Sequence, residues 1–303
     1  MFRLQETPRD GDPSHRIQEF EEIHPRILCC RYWWLTQWNS RQMSFPYWRL
    51  YWNRTPGAMI VYKNTIELEP GRIILVPPNT PFSTYISANK DEGDRPYSLK
   101  GGWVAGRKME KELAGRGIVL HLFIHFTLGY SFDAVSPGIF AFDITSFQLS
   151  LTESLISDLL ERSIRFDQSS SLEIYALIFN VLSRVPREIW KQRDLDARVA
   201  GGIRYMEQNI HTAIRNNALA ERGRMSMNAY TRLFKQETGF SPRKYLLRMR
   251  IEKACSLLHH SDMSIEQIAA SCGFSDRYYF TRIFTRTMQV SPGVYRRNSV
   301  LKN

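Results

Sequence analysis

The spacing of hydrophobic and polar residues changes along the chain and divides it into three regions. From residue 15 to about 145, apolar residues come in short runs rich in aromatic and β-branched types. Tyr47-Trp-Arg-Leu-Tyr-Trp-Asn-Arg54 and Ala58-Met-Ile-Val-Tyr62 are two of them. Arg72-Ile-Ile-Leu-Val76 follows the turn Glu69-Pro-Gly71 and stops at Pro77-Pro78. Such residues suit a pleated, half-buried surface, and Gly, Pro and Asn punctuate it, which predicts a β-sandwich or barrel. Lys90 to Pro96 reads as a polar loop, and Val119-Leu-His-Leu-Phe-Ile-His-Phe126 is the clearest strand after it.

Near Thr145 the period becomes helical. Leu151, Leu155, Ile156, Leu159, Leu160 and Ile164 form one apolar stripe, and Ile174, Tyr175, Ile178, Phe179, Leu182 and Val185 form another that ends near Pro186. For this region, 146–190, two readings are open: the helices close the barrel's open side within one chain, or they form a dimer seam. Lys191 to Asp196 is a charged linker candidate. From about Ala197 to 300 the pattern is helical throughout. Expected segments are Arg198–Gln208, Asn217–Glu221, Met227–Thr238, Tyr245–Leu258 after Ser241-Pro242, Asp276–Met288, and a short last helix opened by Ser291-Pro292. Ser264-Ile-Glu-Gln267 has the form of a capping box. The expected class is α+β, with a β domain over 15–145, trailing helices over 146–190 and an all-α domain over 195–300.

The last region contains a repeat. Tyr230-Thr-Arg-Leu-Phe234 and Phe280-Thr-Arg-Ile-Phe284 lie 50 residues apart, as do Ser241-Pro242 and Ser291-Pro292. Each copy reads as a short helix, a tight turn and a longer helix exposing Arg among aromatic and polar residues. That is how a helix-turn-helix offers one helix to a DNA major groove. Charge supports the same reading. The net charge of the 303 residues is +11. From Leu195 onward there are 18 Lys/Arg against 8 Asp/Glu, and before it 23 against 22. The basic excess is confined to the repeat-bearing region, as expected of a phosphate footprint. The four cysteines, Cys29, Cys30, Cys255 and Cys272, form no Cys-x-x-Cys pair, and Met1 to Glu6 is polar; a reducing cytoplasm is expected. The most apolar stretch, Ile118 to Phe132, is too short and too polar to span a bilayer.

The C-terminal region resembles the DNA-binding domain of AraC/XylS transcription regulators. The resemblance rests on Gly239-Phe-Ser-Pro-x-x-Tyr245, Arg250-Ile-x-x-Ala254-x-x-Leu-Leu258, Ile265-x-x-Ile-Ala-x-x-x-Gly-Phe-Ser-Asp276, Tyr279-Phe-x-Arg-x-Phe284 and Ser291-Pro-x-x-Tyr-Arg296. It implies two recognition helices. Asn228, Thr231, Arg232 and Lys235 are the DNA-binding candidates on the first, and Arg277, Tyr278, Tyr279 and Arg282 on the second. Arg suits guanine, Asn suits adenine, and Thr or Tyr can touch a thymine methyl. The alternative for Arg232 and Arg282 is to anchor a phosphate or a carboxylate, while Lys235, Arg243, Lys244 and Arg248 read as phosphate contacts or solvated charges. Phe240 and Phe274 are expected in the core. Two departures stand out: Arg224 occupies the usual first-turn glycine position, with Gly223 one place early, and Gln289 replaces the glycine before the last Ser-Pro.

Gly57 to Pro78 resembles the cupin-type sensor barrel of sugar-responsive members of that family. That implies a small-molecule pocket, with Trp33, Trp34, Trp48, Trp52 and His125 as effector-binding candidates. Six of the seven tryptophans lie within residues 15–145, Trp38 and Trp103 included, and flat rings stack on sugar faces; most of them being barrel core is the other reading. His121 and His125, four apart on a strand, would sit about 13 Å apart and could not share a metal held at ~2.1 Å. No metal, cofactor or catalytic residue is therefore expected. The whole describes a non-enzymatic, sequence-specific regulator of transcription, an activator by family habit. Its expected partners are promoter or operator DNA, RNA polymerase, a small-molecule effector such as a sugar, and a second copy of itself. The alternatives are a metal-dependent cupin enzyme tethered to DNA and a constitutive DNA binder with a non-sensing barrel.

Overall fold

The structure is a computed structural model that describes residues 23, 25–86, 97–161, 166–190, 195–288 and 290–299. The expected polar loop at 90–96, most of the charged linker and Gln289 lie outside the described residues. The N-terminal strands are β1 (Arg26–Met43), β2 (Trp48–Asn53), β3 (Ala58–Val61), β4 (Thr65–Leu68), β5 (Arg72–Val76), β6 (Phe82–Ile86) and β7 (Tyr97–Trp103). Helix α1 (Gly106–Gly115) interrupts them, followed by β8 (Val119–Thr127), a single turn α2 (Tyr130–Asp133) and β9 (Phe140–Asp143). The strands pair antiparallel in the order β4-β3-β6-β1-β8-β2-β5-β9, with β7 also on β1, and wrap into a nearly closed barrel. Sequence periodicity predicted strands throughout this region and missed α1.

Strands β2 and β8 are buried on both faces, which explains their nearly unbroken apolar runs. One face of each turns into the barrel: Arg49 and Tyr51 from β2, and His121, Phe123 and His125 from β8. The other face carries Trp48, Leu50, Trp52, Leu120, Leu122, Ile124 and Phe126. It is covered by α3 (Ser146–Leu160) and α4 (Gln168–Leu182), through Leu155, Ile156, Ile174, Leu177 and Ile178. These helices therefore pack within the chain on the sheet's outer face, whereas the expected place was the barrel's open side. Thr145 and Gln148 form a capping box at the start of α3, and Asp167 accepts from the Ser170 amide at the start of α4. Helix α1 is tied down by charge. Its Glu110, only 5% exposed, accepts from Tyr32 Oη (2.9 Å) and pairs with Arg54 Nε (2.8 Å), whose other arm reaches Glu153 on α3 (2.6 Å).

The C-terminal domain comprises α5 (Ala197–Gln208), α6 (Asn216–Arg222), α7 (Met227–Thr238), α8 (Pro242–His260), α9 (Ile265–Ser271), α10 (Arg277–Met288) and α11 (Pro292–Ser299). Helices α6–α7 and α9–α10 are the two helix-turn-helix units, and α8 joins them. The capping box at Ser264 and Gln267 is present at the start of α9. Helix α8 runs two residues beyond the expected end, which brings His259 and His260 into its last turn.

Both short helices end in the same motif. Met225 N–H bonds Ala220 O and Arg224 N–H bonds Glu221 O; Phe274 and Gly273 do the same to Ala269 and Ala270. The motif needs a left-handed residue, filled by Gly273 (φ 75°) in the second unit and by Arg224 (φ 50°) in the first. Arg224 thus carries a backbone conformation that costs a Cβ-bearing residue about 1–2 kcal/mol, set against glycine's greater loss of chain freedom. Arg224→Gly is expected to raise the unfolding free energy by about 1 kcal/mol in urea titrations; lowered stability would show that the Arg224 side chain outweighs the strain.

Candidate DNA interface and barrel cavity

The two long helices present alike faces. On α7, Tyr230 and Phe234 turn into a core shared with Val199, Ile203 and Met249, and Asn228, Arg232 and Lys235 are exposed with Thr231 half-buried beside them. On α10, Phe280 and Phe284 are buried, while Arg277, Arg282 and Tyr278 (78% exposed) face outward with Tyr279 half-buried. Ser226 caps α7, and Asp276 accepts from the Tyr279 amide (2.7 Å) to cap α10. The caps set the first turn of each helix, which carries Asn228 on α7 and Arg277 and Tyr278 on α10. The Arg282 guanidinium lies 5.5 Å from the Tyr279 ring centroid, and that of Arg277 lies 5.4 Å from the Tyr278 ring. Arg232, Lys235, Arg277 and Arg282 have no ion-pair partner among the described residues. A salt bridge to Glu252 (2.9 Å), by contrast, engages Arg248. Phe274 is buried as expected, but Phe240 is 39% exposed. It lies on a crevice between barrel and first unit, beside Arg248, and not in the core.

Residues 219–298 match the sequence profile of a family described as a helix-turn-helix domain. The HTH-type transcriptional activator RhaS of Escherichia fergusonii is 41% identical over 97 residues, 32% of this chain and 35% of that protein. The MmsAB operon regulatory protein of Pseudomonas aeruginosa is 35% identical over 92 residues, 30% of each chain. The C-terminal third is an AraC-type helix-turn-helix domain. The chain thus spans about a third of the length of these relatives, and the similarity lies in the AraC-type domain. Among solved structures, the DNA-binding domain of AdpA in complex with a target DNA aligns with 34% of this chain and 92% of that one (29% identity, TM-score 0.33). ToxT from Vibrio cholerae with bound unsaturated fatty acid aligns with 95% and 100% (15% identity, TM-score 0.46).

At the inner end of the AraC-type domain lies a cavity of about 80 Å³ in the barrel. Trp33 and His125 line it, together with Trp38, Arg31, Arg49 and His121. Trp34, Trp48 and Trp52 do not. They pack on the sheet's other face, where Trp48 Nε1 donates to Asp133 (2.9 Å) and Trp52 Nε1 to the Pro70 carbonyl (2.9 Å). A register shift between Leu35 and Gln37 changes which residues of β1 face inward, from Trp33 and Leu35 to Trp38 and Ser40. His259 and His260, from the end of α8, close the cavity.

The cavity wall is cationic and short of partners. Arg49 donates to Tyr51 Oη (2.9 Å) and Tyr47 Oη (3.0 Å), and its guanidinium lies 3.4 Å from the Phe45 ring centroid. Arg49 has no acidic partner among the described residues, and its buried Nε is unbonded, as are Trp33 Nε1 and both ring nitrogens of His125. Burial pushes the Cys29 thiol up to about 11. Burial, then Arg49, holds His260 down to about 3, and burial holds His125 and His259 well below the usual imidazole range. Cys29 stands opposite His125 in the β1–β8 register, and Arg49 opposite the same residue on β2. One thiol ligand atom of Cys29 and one nitrogen each of His125 and His260 lie within 4.8 Å of one another. The expectation of no metal site drew on sequence spacing, which keeps His121 and His125 apart; the structure sets Cys29 beside His125 and brings in His260, 135 residues further along the chain.

His121 Nδ1 donates to Asn53 Oδ1 (2.7 Å), and burial, then Arg49, lowers its pKa to about 3 from 6.5. A folded-state pKa below the unfolded one means stability is complete above about pH 6.5 and falls as pH drops toward 3. The loss from this one residue approaches about 1.4 kcal/mol per pH unit. Urea titrations at pH 7.5, 6 and 5 should show it, with a shallower slope in His121→Gln; equal slopes would mean that His121 titrates as it does in the unfolded chain.

Proposed function

We propose that the chain is a sequence-specific DNA-binding regulator of transcription, acting as an activator, whose barrel responds to a small molecule. The observation that carries the reading is the pair of outward-facing helices α7 and α10. Their Arg232, Lys235, Arg277 and Arg282 stand without ion-pair partners among the described residues, in a region holding 18 Lys/Arg against 8 Asp/Glu. Both are fixed to the two ends of one helix, so a single chain offers two readers to successive major grooves on one DNA face, about 10 bp apart. Asn228, Thr231, Tyr278 and Tyr279 supply further contacts to bases or backbone. RNA polymerase is the partner an activator recruits.

The effector reading is supported by the unbonded Trp33 Nε1, Arg49 Nε and His125 nitrogens converging on one cavity, since buried polar groups without partners are costly. A sugar would find two rings there, Trp33 and Trp38. A ligand in the cavity touches His259 and His260, so it acts on α8 and can favour one arrangement of the two readers. Exposed Phe147 on α3, and Leu172 and Phe179 on α4, offer an apolar face for a second copy. The enzyme alternative lacks a supporting observation for a reaction.

Arg282→Ala is expected to weaken binding to a selected DNA site by roughly 1–3 kcal/mol, with little change for unrelated DNA, in fluorescence anisotropy at fixed salt. An equal loss on both DNAs would make Arg282 a phosphate contact, and no loss would remove it from the interface.

A further inference from the structure

The cavity cluster is built from both domains. Cys29 comes from β1, His125 from β8 and His260 from the last turn of α8. Their ligand atoms lie within 4.8 Å of one another. Both nitrogens of His125, which is 3% exposed, and Nε2 of His260 are buried without a hydrogen-bond partner. A core histidine normally satisfies at least one nitrogen, and His121, on the same strand, does so through Asn53. His125, with neither nitrogen bonded, and His260, with Nε2 unbonded, thus stand beside a thiol with lone pairs that no protein group uses.

We propose that Cys29, His125 and His260 bind a thiophilic d10 metal ion, Zn²⁺ or Cu⁺, that bridges the barrel to the helix joining the two DNA-reading units. One sulfur and two imidazole nitrogens suit these ions, whereas Mg²⁺ and Ca²⁺ require oxygen ligands. Bonds of ~2.0–2.3 Å place tetrahedral ligands roughly 3.5 Å apart, so the set closes by drawing in about 1 Å. Binding displaces the Cys29 proton. Arg31 and Arg49 line the same cavity and disfavour excess positive charge. Cu⁺ with one thiolate is already neutral; Zn²⁺ becomes neutral by taking an anion, hydroxide or chloride, at its open fourth position.

The regulatory consequence rests on the reading of the chain as a DNA-binding regulator, whereas the site does not. Because His260 ends α8, the ion fixes that helix to β1 and β8, and its loss frees the linkage.

The test uses the full chain, stripped with chelator and titrated with Zn²⁺ and, under reducing conditions, Cu⁺. Mass spectrometric metal analysis should give one ion per chain for at least one of them, and which ion binds tells the two apart. Co²⁺ as a spectroscopic stand-in should show a sulfur-to-metal charge-transfer band that Cys29→Ser abolishes. His260→Gln, a change at a partly exposed residue, should weaken binding at least about tenfold while circular dichroism stays that of the native chain. Absence of stoichiometric uptake of both ions would overturn the site, as would equal affinity in Cys29→Ser and His260→Gln. Selected-site DNA binding is measured on the same samples. Intact DNA binding without metal uptake defeats the metal site alone, and metal uptake without specific DNA binding defeats the regulator reading alone.

Discussion

The packing of the end of α8 against the inner wall of the barrel is the contact on which the arrangement depends. Tyr47 meets His259 and His260 at ring-centroid distances of 5.8 and 5.2 Å, and His125 meets them at 5.5 and 5.1 Å. One continuous core runs from Trp33, Tyr51 and Phe123 in the barrel through Ile251 and Leu258 of α8 to Phe274, Phe280 and Phe284 of the second unit. The first unit has a core of its own around Tyr230 and Phe234. Burial of apolar surface is worth roughly 25 cal/mol per Å², so a core crossing the domain boundary couples the second unit to the barrel far more firmly than surface ion pairs could.

That coupling comes with an electrostatic constraint. Four histidines and Arg49 line one cavity, and a buried charge without a partner is expensive. Neutral imidazoles are the solution the fold adopts at all four, leaving Arg49 as the charge to be borne by two phenols and an aromatic face. A ligand, proton or ion entering here meets groups whose neutrality holds the junction together.

Local signals were legible and long-range ones were not. Met227–Thr238 was readable to the residue because Ser226 caps one end and Gly239, in the left-handed region, ends the other. The Ser264 capping box was equally local. Aromatic content could not tell which face of β2 or β1 a tryptophan takes, since both faces are buried and the shift after Leu35 breaks the alternation. Trp48 and Trp52 therefore read as pocket residues and fold as core beneath α3 and α4. Phe240 read as core from its place in the motif, yet the crevice leaves it open to solvent. His260 gave no sequence signal as a neighbour of Cys29 and His125. Only the docking of α8 brings it there, after two residues of helix that the apolar pattern, ending at Leu258, did not require.

The two helix-turn-helix units are consequently unequal. The second has glycine at its left-handed turn, Gly273, where a Cβ would lie 2.5 Å from the Ile210 carbonyl, and Arg250 bonds the Ile210 and Thr212 carbonyls beside it. It shares its core with the barrel. The first turns through Arg224 and faces the barrel across a crevice lined by Phe240, Arg248 and Glu252. A change in the cavity would meet His259 and His260 at the end of α8, beside the core shared with the second unit, and would reach the first unit only along that helix. In this geometry the second unit shares a core with the barrel, while a crevice separates the first unit from it.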